Sequence, residues 1–225
     1  MGTSCNRNRP DHSRCGAPLR VIAAIGLVLM LACAGPDDAP SPDAWRGVRL
    51  ASSLPRPDFT LADTNGDSFS FRERTQGTLT LLFFGYTNCP DICPIHMSSL
   101  GRVLEQFPHA LRSQVRVVFV TTDPDRDTPE RIREWLDAMG RGFVGLSGPI
   151  DEVNRIQTDL GLPPATTAPG SRPGVDYPVG HAAQVLAFTP DDSAHFMYPF
   201  GTRQEDWVRD LPRLLEYRAA SDVNR

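Results

Sequence analysis

The sequence has no lysine: all 23 of its basic residues are arginine, a pattern that reads as coding bias and not as chemistry. Positive charge is itself in deficit, with 27 acidic residues giving a net charge of -4. Four arginines (Arg7, Arg9, Arg14, Arg20) sit in the first 32 residues beside a single acid, so the rest carries 19 arginines against 26 acids. So acidic a body lacks the basic face that nucleic acid requires, and it lacks a basic stripe for anionic lipid. Long apolar runs are missing too. The stretch 21–34 has 14 residues, where a membrane-spanning helix takes about 20. Internal repeats are not visible. Cysteine is scarce, and three of the five (Cys5, Cys15, Cys33) precede residue 34. With only Cys89 and Cys93 beyond that point, a disulfide-stapled framework is excluded.

What is present fits one globular domain with a leader and a tether: 225 residues, 40% hydrophobic and 22% charged. A polar, arginine-bearing start, a short apolar run and small residues before a cysteine have the layout of an export signal. Leu29-Met30-Leu31-Ala32-Cys33 resembles a bacterial lipobox, although Met30 and Leu31 are not its commonest residues. The expectation is an export signal over 1–32, acylation at Cys33 and a membrane-anchored lipoprotein on the extracytoplasmic (periplasmic) side. An uncleaved signal anchor with an incidental cysteine is the simpler alternative. Residues 33–52, rich in proline and without periodicity, read as a flexible tether, 53–217 as the folded domain and 218–225 as a tail.

Within the domain, Asn65-Gly66 between two short apolar runs marks a β-hairpin. The continuous apolar run 79–84 predicts a strand buried on both faces. The pair Cys89/Cys93 follows it, then a helix over about 94–107. Residues 115–121 form the next strand, and Asp127-Thr128-Pro129-Glu130 is a helix start. A short strand near 143–146 and a helix over 151–160 precede the Gly/Pro-rich loop 161–180. Two strands, 182–188 and 195–200, then form a hairpin, and an amphipathic helix over 203–217 closes the chain. A hairpin, then βαβα, then ββα, with cysteines at a strand-to-helix turn, is the thioredoxin-like order. It implies an α/β fold with a central mixed sheet flanked by helices.

Two thiols four residues apart at a helix start face one way, and a helix N-terminus favours their thiolates. Paired thiolates suit soft ions such as Cu(I) or Zn. A third donor must come from elsewhere, and His181, where the Gly/Pro loop meets a strand, is the best placed.

Three segments carry a resemblance. Phe84-Gly85-Tyr86-Thr87-Asn88-Cys89-Pro90-Asp91-Ile92-Cys93-Pro94, the stretch 118–130 around Asp123-Pro124-Asp125-Arg126-Asp127, and Asp176-Tyr177-Pro178-Val179-Gly180-His181 resemble, in order, the motifs of the SCO/SenC family of cytochrome oxidase assembly proteins. The similarity runs from about 55 to 215. It implies a thioredoxin-like fold binding Cu(I) or Cu(II) through Cys89, Cys93 and His181. It also implies a partner: the cytochrome c oxidase subunit that carries the binuclear copper site, or other copper donors and acceptors. A copper chaperone is the leading reading. The rival is an extracytoplasmic thiol–disulfide oxidoreductase cycling the same Cys89/Cys93 pair. A peroxidase reading lacks the Thr/Pro-Cys-Arg arrangement that would activate peroxide.

The chain departs from the family pattern at His96-Met97, both potential copper ligands, and at Ala182, where the family usually has serine. Met97 is expected to pack inward and His96 to face solvent. Asp123, Asp125 and Asp127 are expected to act as caps and dipole partners, with a supporting role for Asp123 near the cysteines as the alternative to a hard-cation site. His109 and His195 have no visible partner and read as structural. Met197 and Tyr198 alternate in a strand and read as core and surface, not as ligands, and Trp45, Trp135 and Trp207 show no usable pattern.

Overall fold

The computed structural model describes residues 44–167 and 177–217. Among them, eight strands form one sheet in the spatial order Val48–Pro55, Ser193–Tyr198, Val185–Phe188, Leu79–Gly85, Val115–Thr121, Val144–Ser147, Thr60–Asp63 and Ser68–Ser70. The hairpin of β2 (Thr60–Asp63) and β3 (Ser68–Ser70) turns at Gly66, whose φ of 84° is open to glycine without strain. A short helix, α1 (Phe71–Thr75), leads to β4 (Leu79–Gly85), buried throughout. It pairs in parallel with β5 (Val115–Thr121), and β5 in parallel with β6 (Val144–Ser147). Helices α2 (Ile92–Glu105), α3 (His109–Arg112) and α4 (Pro129–Met139) make the crossovers, and α5 (Ile150–Asp159) follows β6. Thr128 caps α4, its hydroxyl accepting from Arg131 N at 3.2 Å with proline in the first turn.

Burial of β4 on both sides explains its unbroken apolar run. Leu79, Leu81 and Phe83 enter a cluster with Met97, Leu100, Ile132, Trp135, Trp207 and Leu211, whereas Leu82 and Phe84 enter the opposite cluster with Phe59, Phe71, Val153 and Phe188. The loop after α5 contains a small two-stranded sheet of β7 (Thr166–Thr167) and β8 (Val179–Gly180). Strands β9 (Val185–Phe188) and β10 (Ser193–Tyr198) form the expected antiparallel hairpin, followed by α6 (Gln204–Glu216).

One boundary differs from the reading of the sequence. Residues 48–52, placed there in the tether, belong to β1 (Val48–Pro55), which pairs with β10 at the sheet edge. Most of its side chains are exposed and its register is broken by an irregularity between Arg49 and Leu54, so no period-2 pattern marks it. Arg56, just beyond, is fully buried and ties β1 to the hairpin turn at Asp192 and to Thr75, Thr78 and Thr80. The expected export signal over 1–32, the lipidated Cys33, most of the tether and the tail at 218–225 lie outside the described residues. Among the described residues no helix is long and apolar enough to cross a membrane.

Candidate metal centre

The end of β4 aims the chain into the site. At Gly85 an added Cβ would stand 2.7 Å from Cys93 Sγ and 2.9 Å from the Phe83 ring, so the sulfur lies directly on bare backbone. A loop then carries Cys89, whose N–H bonds the Tyr86 carbonyl at 3.2 Å. Asp91 caps α2 by accepting from Ile92 N at 2.7 Å, which puts Cys93 in the first turn. Cys93 N–H points at Cys89 Sγ, 3.4 Å away.

His181, between β8 and β9, reaches the pair from the other side. Its Nε2 lies 3.4 Å from Cys93 Sγ and 4.0 Å from Cys89 Sγ. Its Nδ1 is 2.9 Å from the Ala182 carbonyl, which can only accept, so Nδ1 holds the proton and the Nε2 lone pair faces the sulfurs. The rings of Phe83 and Tyr86 meet His181 edge-on, with centroids at 6.0 and 5.6 Å. All three donor atoms lie within 4.8 Å of one another, and no other such group occurs among the described residues. Bonds of about 2.0–2.3 Å, the usual range for nitrogen and sulfur on a metal such as zinc, fit one ion into that triangle.

The two sulfurs are electrostatically unlike, a correction to the expectation that the helix terminus favours both thiolates. Bonds from the Cys93 thiol and backbone outweigh burial and bring Cys89 down to about 5. Burial, reinforced by the neighbouring Cys89, pushes the Cys93 thiol far up. In the metal-free protein, alkylation at Cys89 is therefore expected to be half-maximal near pH 5. An ordinary exposed thiol goes on accelerating to about pH 8.5. A pH series of iodoacetamide labelling, read by mass on Cys89, checks this.

The acidic residues of the second motif do not converge on a cation. Asp127 is buried and accepts from Thr87 N at 3.0 Å, Thr87 Oγ1 at 2.6 Å and Thr121 Oγ1 at 2.5 Å, binding the cysteine loop to the end of β5. Burial raises its carboxyl above the ordinary value. Asp123 supports the histidine side: it pairs with Arg126 and accepts from Tyr177 OH at 2.9 Å. Arg126 in turn donates to the Tyr177 carbonyl at 2.8 Å and lies 3.6 Å from the centre of that ring. Asp125 is exposed.

Two further histidines differ from the expectations. His96 is buried, not solvent-facing: it is 3% exposed, its ring packs on Phe83 and Phe200, and Nε2 has no hydrogen-bond partner among the described residues. Burial pushes its imidazole down to about 4; the Ala183 backbone opposes the shift and His181 adds to it. His195 has a partner after all, Asp191 Oδ2 at 2.9 Å in the hairpin turn. Met97 is fully buried as expected, and His109 is exposed. In β10 the expected order is reversed, with Met197 half-buried and Tyr198 buried and stacked on Trp207; Trp45 packs on Phe196, and Trp135 on Phe119.

A shallow recess of about 250 Å³, lined by Tyr86, Asn88, Pro90, Tyr177 and Pro178, flanks Cys89. A larger one of about 380 Å³ lies far along α2 near Leu104 and Val115 and holds no group of metal donors.

A thioredoxin-like mixed sheet with two thiols at a strand-to-helix turn and a distal imidazole defines a class of soft-metal or redox proteins. Within it, this chain belongs to the SCO1/SenC family, whose profile matches residues 50–216. A Stutzerimonas stutzeri protein named for copper binding is 36% identical over 198 residues, 84% of this chain and 93% of that one. The Thermus thermophilus apo Sco1 structure is 30% identical with a TM-score of 0.68, covering 78% of this chain and all of that one. Copper-bound yeast Sco1 is 27% identical with a TM-score of 0.68, covering 77% of this chain and 96% of that one.

Proposed function

We propose that this protein is a copper carrier that holds the ion through Cys89, Cys93 and His181 and hands it on during assembly of the binuclear copper site of cytochrome c oxidase. The observation that carries the reading is the convergence of two sulfurs and one lone pair within 4.8 Å on an otherwise apolar floor. Copper-bound relatives support the choice of ion, and the family resemblance supports the client. The leader adds the setting: lipid on Cys33 and the tether would hold the domain at the extracytoplasmic membrane face.

The chemistry follows from the two unlike thiols. Cys89 is already a thiolate near neutral pH, so it meets an arriving Cu(I) first. Cys93 then gives up its proton as the Cu–S bond forms, so that loading releases acid. His181 completes a three-donor set with a neutral nitrogen. Cys93 is sealed beneath the site, whereas Cys89 and the half-buried His181 lie toward the surface. An acceptor's sulfur can therefore attack from that side and displace the donors one by one, with no change of copper valence.

His181→Ala is the discriminating variant. Cu(I) affinity should fall by at least about 100-fold, since even supporting residues around a metal cost 10–100-fold. Reduction of a disulfide substrate should persist. Unchanged affinity would remove His181 from the centre. One observation favours the rival, thiol–disulfide exchange: a low-pKa outer thiol above a protonated inner one is the arrangement of a nucleophile with its resolving partner. Rapid copper-independent turnover in the wild type would establish it.

A further inference from the structure

His96 is a buried imidazole beside the centre that the three-donor account leaves unused. It follows Cys93 by three residues on α2, one helical turn, which places the two Cβ atoms about 5–6 Å apart. Phe83 links it to His181, its ring lying 5.3 Å from His96 and 6.0 Å from His181. The backbone of Ala183, two residues past His181, is within its reach, and the two imidazoles act on one another electrostatically. Its Nε2 is buried with no hydrogen-bond partner among the described residues. A buried, unpaired nitrogen is a standing cost that phenylalanine or leucine at this position would remove. On the outer side the ring meets Phe200, one of the few large apolar side chains that the fold leaves exposed.

We propose that His96 is a valence-selective fourth ligand: its Nε2 joins the centre when the ion is Cu(II) and stands off when it is Cu(I). This rests on the reading that Cys89, Cys93 and His181 hold copper. Cu(I) is content with few donors, whereas Cu(II) favours four in a tetragonal arrangement with nitrogen ligands. The three close donors satisfy the first ion and leave the second one short. His96 lies outside the group of donors within 4.8 Å, so it enters by turning its side chain toward Cys93, and the exposed Phe200 ring is the neighbour that can yield. One bond forms, from the Nε2 lone pair to Cu(II); the ring's single proton stays on Nδ1, no donor leaves and no electron moves. The site would thereby hold two sulfurs and two nitrogens as Cu(II), and two sulfurs and one nitrogen as Cu(I).

The test compares wild type, His96→Phe and His96→Asn, each loaded separately with Cu(II) and with Cu(I). Pulsed EPR of the Cu(II) forms should count two coupled imidazoles in the wild type and one in each variant. Cu(II) affinity should fall by at least about tenfold in both variants, with Cu(I) affinity unchanged. The metal-free His96→Phe protein should unfold at the same or a higher urea concentration than wild type, because the unpaired nitrogen is gone. A single imidazole in wild-type Cu(II) protein overturns the proposal. So does an equal loss of both valences in the variants, which is what a ring that only props the His181 segment would give. Failure of the underlying reading has a different signature: wild-type protein that holds neither valence, or His181→Ala without effect.

Discussion

Cys93→Ser is expected to abolish tight Cu(I) binding, lowering affinity by at least about 1,000-fold, or roughly 4 kcal/mol at 1.4 kcal/mol per decade. The loss is larger than for His181 because a soft anionic donor is replaced by a hard neutral one that stays protonated at all relevant pH. Among the described residues there is no third thiol to replace it. The sulfur is fully buried against Gly85 and Phe83, so the pocket gives little room for water to take its place. The variant should keep its fold, since serine nearly matches cysteine in size. Competition against a chromophoric Cu(I) chelator measures the change, and a loss of less than about tenfold would show that Cys93 is not a ligand.

Arg56→Ala is expected to destabilise the domain by about 3–5 kcal/mol, the range for removing one partner of a buried charged network. The guanidinium donates to Asp192 Oδ1 at 2.8 Å, Thr75 Oγ1 at 2.8 Å, Thr80 Oγ1 at 2.9 Å, Thr78 O at 2.9 Å and Thr189 O at 3.1 Å. Alanine removes all five bonds at once and leaves a hole that an arginine had filled; Asp192 Oδ1 and Thr189 O keep only their bonds from Gly77 N and Asp192 N. Lysine should rescue only part, because an ammonium has three donors and cannot reproduce the planar fork. Urea titration reads the effect. Copper affinity of the molecules that remain folded should not move, since Arg56 bonds only the β1, α1–β4 and β9–β10 junctions.

Why Arg56 escaped the sequence and the cysteines did not is a matter of distance along the chain. The turn at Asn65-Gly66, the cap at Thr128-Pro129 and the doubly buried β4 are set by neighbours within a few residues, so their patterns are legible locally. Arg56 takes its partners from Thr75 to Asp192, and nothing in Arg-Pro-Asp announces that. The burial of His96 is hidden from the sequence for the same reason: the surfaces that bury it, Phe83 and Phe200, come from β4 and from the loop after β10. His195 finds Asp191 only because the hairpin folds back on itself. Strand β1 is invisible as an edge strand with most side chains in water. Chemistry was easier to read than burial. Two thiols and a histidine, in the first and third motifs, point to one place, and the fold brings those donors together there. The inequality of the thiols was not legible, because it arises from how deeply each sulfur sits.

X-ray absorption at the copper edge of the Cu(I)-loaded, monomeric domain tests the central claim most directly. The account predicts two sulfurs and one nitrogen around each copper, with the nitrogen lost in His181→Ala and one sulfur lost in Cys93→Ser. A shell of nitrogen and oxygen alone, or a sulfur count unmoved by the cysteine substitution, would contradict it.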